Sequence, residues 1–404
     1  MRTLRTTVLA ILLAAGNAFA KRPVLVISVD GMDQRYLSDC DKLGLKIPNL
    51  RKLMREGQWS AGVVGVVPTV TWPSHTTIIT GVEPAEHGIL ANTRPAKDGG
   101  GRYWSVDFLK VQSLLDVAHK AGLKTGSINW PVTVGAASDF NLPEYWEDPD
   151  QPDLRAVSSK ASPPDLVSRI NSMFPSFRQG WTNDRTRALA ARYLLRTERP
   201  DLLLLHFGEH DSEAHANGPF TPEALAVLEY SDELIGTLLP DVPGNYTVVV
   251  VSDHGFEKLE REVNLGVVAN RRGVKGLRPV SGVVVADDAE AAKLLAELRP
   301  DPQYGIGREV PKDELQRFSP DLLGAAAVYE PAPGVWFGTA TSGDLLSKLT
   351  EAGRHGHWPT RYRAVYLVWG AGIRAERIAE MSLKDVAGRI ADLLGIPFEP
   401  GVAR

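Results

Sequence analysis

Carboxylates, imidazoles and hydroxyls sit at short spacing in five segments of this chain, and most of these segments lie at the ends of apolar runs. Asp30 directly follows the run 24–29 and precedes Gly31, so it can ligate a cation or cap a helix N-terminus. Asp253 and His254 follow the most apolar run, 246–251, and a hard carboxylate beside an imidazole is good ligand chemistry for zinc. Asp211 and His215 are four residues apart within His206-Phe-Gly-Glu-His210-Asp211-Ser-Glu-Ala-His215. A helix there puts both on one face, able to grip one metal, whereas a loop leaves them solvated. His355 and His357 bracket Gly356, either as ligands or as a turn. The fifth segment is Pro68-Thr69-Val-Thr71-Trp72-Pro73-Ser74-His75. A hydroxyl at a strand-to-helix turn, with proline just inside the helix, faces the positive end of the helix dipole and suits a phosphate. A threonine hydroxyl is a poor nucleophile until a metal or base activates it, and the other segments supply candidate metal ligands.

The histidines sharpen this pattern. Eight of the nine (His75, His87, His206, His210, His215, His254, His355 and His357) fall in or just after these segments, and His119 lies apart on an amphipathic stretch. Scattered surface histidines would not gather so, and convergent ligand groups mark a site.

The elements that must hold these residues are legible as patterns. The runs 23–29, 201–205, 246–251 and 364–369 are short and uniformly apolar, as strands covered on both faces of a parallel sheet are. Between them lie helical patterns: Val111, Leu114, Leu115 and Ala118 ahead of Gly122, a Thr221-Pro222 start leading to Leu225, Leu228, Ile235 and Leu238, and 385–394 ahead of Gly395. Strand and helix alternate, so the class is α/β, and in such sheets the loops at strand ends converge on one crevice. Residues from about 93 to 165 are rich in Gly, Pro, Asp and Trp and read as loop-heavy decoration. Residues from about 257 to 354, with strand candidates at 282–285 and 325–329, read as a small inserted subdomain.

Composition narrows the function classes. The 404 residues carry 45 basic and 49 acidic groups, a net of -4, which argues against a nucleic-acid coat or a polybasic membrane binder. One cysteine, Cys40, excludes an internal disulfide framework and Cys-rich zinc modules. Residues 1–20 read as a signal peptide: Arg2 and Arg5, an apolar stretch too short to span a bilayer, then Ala18-Phe19-Ala20 for cleavage. The mature chain is expected to be periplasmic or extracellular, with no membrane span and a catalytic domain over 21–404.

The sequence resembles the nucleotide pyrophosphatase/phosphodiesterase branch of the alkaline phosphatase superfamily. The resemblance rests on Val-Asp30-Gly, Pro68-Thr-x-Thr71-Trp-Pro-x-His75, Thr80-Gly81 with Glu86-His87-Gly88-Ile-x-x-Asn92, Asp211-x-x-x-His215-x-x-Gly-Pro219, Ser252-Asp253-His254-Gly255 and Gly353-x-His355-Gly356, in the family's order from about 23 to 395. It implies a three-layer α/β/α sandwich with a mostly parallel central sheet and an inserted small subdomain. It also implies two divalent metal ions, zinc by preference. One is held by the positions of Asp30, Thr71, Asp253 and His254, the other by those of Asp211, His215 and His355. Thr71 is then the nucleophile, forming a covalent phospho-threonine, and Asn92 and the helix N-terminus help hold a phosphoryl oxygen. Where many relatives have an aromatic residue after His-Gly this chain has His357, an alternative to His355 or a support for it.

The implied activity is hydrolysis of phosphodiester or pyrophosphate bonds of small nucleotide-like substrates. Trp72 matches a position where an aromatic stacks a nucleobase. Trp130, Tyr145 and Trp146 stand in a stretch, 125–154, without Lys or Arg. Aromatic faces and few cations favour a diester over the dianionic phosphoryl group that monoesterases meet with Lys or Arg. The alternatives on the same metal core are an alkaline phosphomonoesterase and a phosphonoacetate-type C–P hydrolase. Cys40 lacks a sulfatase context, and a non-enzymatic metal-binding protein is the reading from another class.

Overall fold

The structure, a computed structural model, describes residues 22–147, 154–179 and 183–404. The expected signal peptide lies outside the described residues.

The chain folds around an eight-stranded sheet. Its strands begin with β1 (Val24–Val29), β2 (Gln58–Ser60), β3 (Thr125–Ile128), β4 (Phe140–Leu142), β5 (Leu202–Phe207) and β6 (Thr247–Val251). A separate sheet follows, made of β7 (Leu277–Val280), β8 (Val283–Ala286), β9 (Ile306–Glu309) and β10 (Ala327–Pro331). The chain then returns to the first sheet with β11 (Tyr366–Gly370) and β12 (Glu376–Ile378). The large sheet has the order β12-β2-β11-β6-β1-β5-β3-β4. Only β11 opposes its neighbours, and all other adjacent pairs are parallel.

Uniformly apolar strands mean helices on both faces, and the alternation along each strand sorts the contacts. Leu25, Ile27, Val29, Leu203, Leu205, Val248 and Val250 pack one way, against α1 (Pro48–Glu56), α4 (Asp184–Tyr193) and α6 (Pro222–Leu238). Val24, Val26, Leu202, Leu204, Val249 and Val251 pack the other way, against α2 (Thr71–Thr80), α3 (Leu114–Lys120) and α7 (Asp385–Leu394). Each such side chain, fully buried, contributes about 1.5–3 kcal/mol by leaving water. The helix α5 (Glu209–Asn217) leaves the end of β5. The result is the α/β class that the patterns imply, in the three-layer α/β/α form that the resemblance implies.

Register brings the strand ends together. Ser28 lies opposite both His206 and Val251, so Asp30, Gly208 and Asp253 emerge at one edge of the sheet.

The segment 93–165, read as decoration, also supplies α3 and the strands β3 and β4 of the central sheet. The pattern hid β3 because its buried residues include Thr125 and Ser127, and Thr125 is held by backbone and hydroxyl bonds to Asp139. The segment 257–354 carries the four-stranded antiparallel sheet β7-β8-β10-β9. One face of that sheet has its own apolar core with Leu294, Leu295 and Leu298. The other joins Val283, Val285 and Val328 to Val64 and Trp358 of the main body.

Candidate active site

Six of the seven expected ligands present acidic or imidazole groups at the sheet edge, and distances join them. His254 Nε2 lies 3.0 Å from Asp253 Oδ2 and 3.4 Å from Asp30 Oδ1. His355 Nε2 is 3.6 Å from Asp211 Oδ1, and His215 Nε2 is 3.7 Å from Asp211 Oδ2. Asp211 and His215 share one helical face, as their spacing required, because 209–217 is α5. Asp211, His215 and His355 form one group able to hold a metal, and Asp30, Asp211 and His254 form another. The seventh expected ligand, Thr71, opens α2 and lines the cavity beside Asp30 and Asp211.

The imidazoles are oriented for this. A ring nitrogen facing a carbonyl oxygen must donate. His254 Nδ1 faces the Gly255 carbonyl at 3.2 Å, His215 Nδ1 the Gly353 carbonyl at 3.1 Å, and His355 Nδ1 the Thr69 carbonyl at 3.1 Å. Each therefore points Nε2 inward, and in the neutral ring the lone pair is on that nitrogen, the tautomer that binds a metal.

The electrostatics fit a cation as well. Asp30 Oδ1, Asp211 Oδ1, Asp253 Oδ2 and His254 Nε2 are buried without a well-formed hydrogen bond. Burial, reinforced by Asp253 and Asp211, pushes the Asp30 carboxyl well above the usual range. Burial likewise raises Asp211. Although burial opposes it, His254 above all holds Asp253 below the usual carboxylate range. Burial, then the neighbouring His254 and His215, drives His355 well below the usual imidazole range. Three carboxylates crowded out of water are costly without a positive partner, and mixed oxygen and nitrogen donors suit zinc.

The segment that carries Thr71 is tightly tied. Val70 is extended, and Thr71 begins the helix. His75 Nδ1–H donates to the Thr71 carbonyl at 2.9 Å while Nε2 accepts from Ser28 Oγ at 2.8 Å, so burial keeps this ring neutral. Asn92 Oδ1 accepts from the Trp72 N–H at 2.9 Å, which leaves its amide nitrogen as the end that can donate to a substrate. This modifies the expected anion pocket. Trp72 N–H is engaged by Asn92 and Pro73 has no N–H, so Thr71 retains the one uncommitted N–H of the first three helical residues.

Thr71, Trp72 and Asn92 line a cavity of about 490 Å³ together with Asp30, Tyr145 and Trp146. Trp72 is buried, its indole N–H donating to Glu144 at 2.7 Å and its ring 4.8 Å from Trp104. Trp130 belongs to the core instead, fully buried and edge-on to His75 at 5.1 Å.

One expectation fails. The substrate side is not poor in cations, because Arg102 and Arg187 also line the cavity. The stretch 125–154 does lack them. Packing brings Arg187 from α4, and Arg102 stands just upstream, 5.3 Å over both Trp72 and Trp146.

The remaining histidines divide. His206 is buried between Asp30 Oδ2 and the Asn129 carbonyl, 2.9 Å from each. His210 faces the Asp30 carbonyl at 3.2 Å. His357 packs edge-on to Trp336 and Tyr362, burial pushes it down to about 4, and it belongs to none of the metal-type groups. His87 accepts from the Ile89 N–H near the end of its own short helix, and His119 is half-exposed on α3 beside Asp139.

Sequence reasoning missed Asp184. Fully buried at the start of α4, it accepts from Arg187 at 2.6 Å and from the backbone N–H groups of Gly208 (2.9 Å) and Glu209 (3.1 Å). It thus anchors the first turn of the helix that carries Asp211 and His215. An acidic residue after Asn183 reads as an ordinary helix start, and nothing local announces its second role.

A sequence profile described as type I phosphodiesterase / nucleotide pyrophosphatase matches residues 24–353. The human ectonucleotide pyrophosphatase/phosphodiesterase family member 1 is 25% identical over 325 residues, 75% of this chain and 31% of that protein. The venom phosphodiesterase of Macrovipera lebetinus is 26% identical over 266 residues, 60% of this chain and 26% of that protein. The chain thus spans about a third or less of the length of these relatives. Murine ectonucleotide pyrophosphatase/phosphodiesterase 5 superposes with a TM-score of 0.63 at 19% identity, covering 95% of this chain and 98% of that one. Its inactive variant, solved in complex with AMP, superposes with the same score. The structural likeness establishes the fold, and the profile match covers most of the sequence: this chain belongs to the type I phosphodiesterase/nucleotide pyrophosphatase family.

Proposed function

We propose that this chain is an exported two-metal phosphodiesterase and nucleotide pyrophosphatase working through a phospho-threonine. The single observation that carries the reading is the set of three imidazoles whose Nε2 atoms point at buried carboxylates beside Thr71. Asp30, Thr71, Asp253 and His254 would hold one ion, and Asp211, His215 and His355 the other, zinc by donor chemistry. Bound there, such ions lower the pKa of a hydroxyl and neutralise phosphoryl charge. Thr71 Oγ1 attacks phosphorus from the side of Asp30 and Asp253, and the bond to the leaving oxygen breaks on the side of His215 and His355. Asn92 donates its amide to a nonbridging oxygen. Water then attacks the phospho-threonine and regenerates Thr71. Export rests on the leader-like residues 1–20. Among the described residues no helix is long and apolar enough to cross a membrane.

The test is a substrate panel on the purified zinc-loaded chain. A nitrophenyl nucleotide diester is expected to be cleaved faster than nitrophenyl phosphate. Chelation abolishes the activity, and Thr71→Ala lowers turnover by about 10³-fold or more while metal stays bound. A strong preference for the monoester instead supports a second reading, a phosphomonoesterase, which Arg102 and Arg187 in the cavity favour.

A further inference from the structure

A second cavity, of about 350 Å³, adjoins the first and shares Asn92 with it. It lies on the side of His215 and His355, and its lining includes Ser281, Gly282, Trp336, Glu351 and Arg354 of the inserted segment. The tip between β7 and β8 reaches the loop of His355. A Cβ on Gly282 would lie 2.2 Å from the Gly356 carbonyl oxygen, and the backbone there has φ +75°, so glycine alone permits this approach.

Arg354 is the one arginine or lysine in that lining. Its guanidinium lies 4.3 Å over the Trp336 ring, which fixes its plane. The nearest carboxylate, Glu351, is 3.6 Å away, beyond hydrogen-bond length, and is itself drawn to His215 Nδ1 at 3.4 Å. Among the described residues this guanidinium donates no hydrogen bond, and its side chain is 34% exposed. A pre-oriented fork of donors in this state matches a phosphate better than a neutral group.

We propose that Arg354, laid on Trp336, is an anion-reading subsite for the leaving group, favouring a bond whose leaving side begins with a second phosphate over an ester with a neutral alcohol or phenol. This rests on the proposed direction of attack, with Thr71 opposite His215 and His355.

Two substrates sharing one transferred group test it: thymidine triphosphate, which releases pyrophosphate, and the p-nitrophenyl ester of thymidine 5′-monophosphate. Arg354→Ala is expected to lower kcat/KM for the triphosphate about 10- to 100-fold more than for the ester, with Arg354→Lys partly restoring the ratio. Pyrophosphate is expected to quench tryptophan fluorescence in the wild type, with an apparent Kd about tenfold weaker in Arg354→Ala and the quench lost in Trp336→Phe. Equal losses on the two substrates, or unchanged pyrophosphate binding, overturn the proposal. If the wild type cleaves neither substrate, the phosphodiesterase reading fails, and the fluorescence titration still decides the subsite.

Discussion

The two halves of the site are built of different material. Asp30, Asp253 and His254 stand directly at the ends of β1 and β6, with side chains no more than 5% exposed. Asp211 and His215 ride on α5, and His355 on a loop, with side chains 8–25% exposed. The first half inherits its rigidity from the most deeply buried strands of the sheet. The second is held by second-hand means: Asp184 at the base of α5, the carbonyls of Thr69 and Gly353, and the glycine tip of the inserted sheet against the His355 loop. The lesson is that, on the proposed direction of attack, the attacking side is fixed by the strands of the sheet and the leaving side by attachments to them.

Single substitutions can break this contrast. Asp253→Ala removes one partner from a fully buried cluster and is expected to cost about 3–5 kcal/mol of stability and to lose metal. His355→Ala is expected to lose metal while the melting temperature falls much less. Equal loss of stability in the two variants, by thermal unfolding alongside metal analysis, would erase the distinction.

The aromatic cavity gives a second measurement. Burial pushes Glu144 up to about 7, against Arg187 and the Trp72 indole that favour its charge. The folded chain therefore holds this proton more tightly than the unfolded chain. Its contribution is fully present below about pH 4.5 and is lost as pH rises through about 7, a span of about 3 kcal/mol. Glu144→Gln should remove that slope from the pH dependence of stability. A wild-type curve that the variant reproduces would mean that Glu144 is ionised in the fold at ordinary cost.

The smallest expected effect is the most specific to the leaving side. Asp184→Ala deprives the start of α5 of two hydrogen bonds and should cost about 1.5–3 kcal/mol. The loss of zinc affinity is expected at the Asp211 and His215 end, with the ester KM rising and Thr71 phosphorylation still detectable by mass spectrometry. Complete loss of both metals would place Asp184 in support of the whole site.

What the sequence made legible follows from how each part is stabilised. The strands β1, β5 and β6 announce themselves because burial on both faces demands continuous apolar runs. The strands β2, β3 and β12 do not, since Gln58, Thr125 and Glu376 satisfy edge or polar positions through pairing and side-chain bonds. The candidate ligands were readable because metal chemistry restricts residue type at strand ends. Arg187, Arg102, Asp184 and Arg354 were not, since an arginine or aspartate gains meaning only from neighbours that tertiary packing supplies. The cation-poor reading of 125–154 failed for that reason: proximity along the chain stood in for proximity in space.

The lone reversed strand carries a further consequence. In a parallel sheet, residues at the carboxyl edge come after their strands, as Asp30 and Asp253 do. Tyr366, the first residue of β11, lies opposite Val251, the last of β6, so the chain arrives at that edge before entering the strand. His355 comes to the crevice ahead of β11, on a loop whose residues Gly353 and Arg354 pair with Lys258 and Glu257. The candidate site is consequently completed by the closing stretch of the polypeptide, and a chain still being extruded, halted short of residue 366, would tie the His355 loop only by its pairing with Glu257 and Lys258, without the strand that follows it.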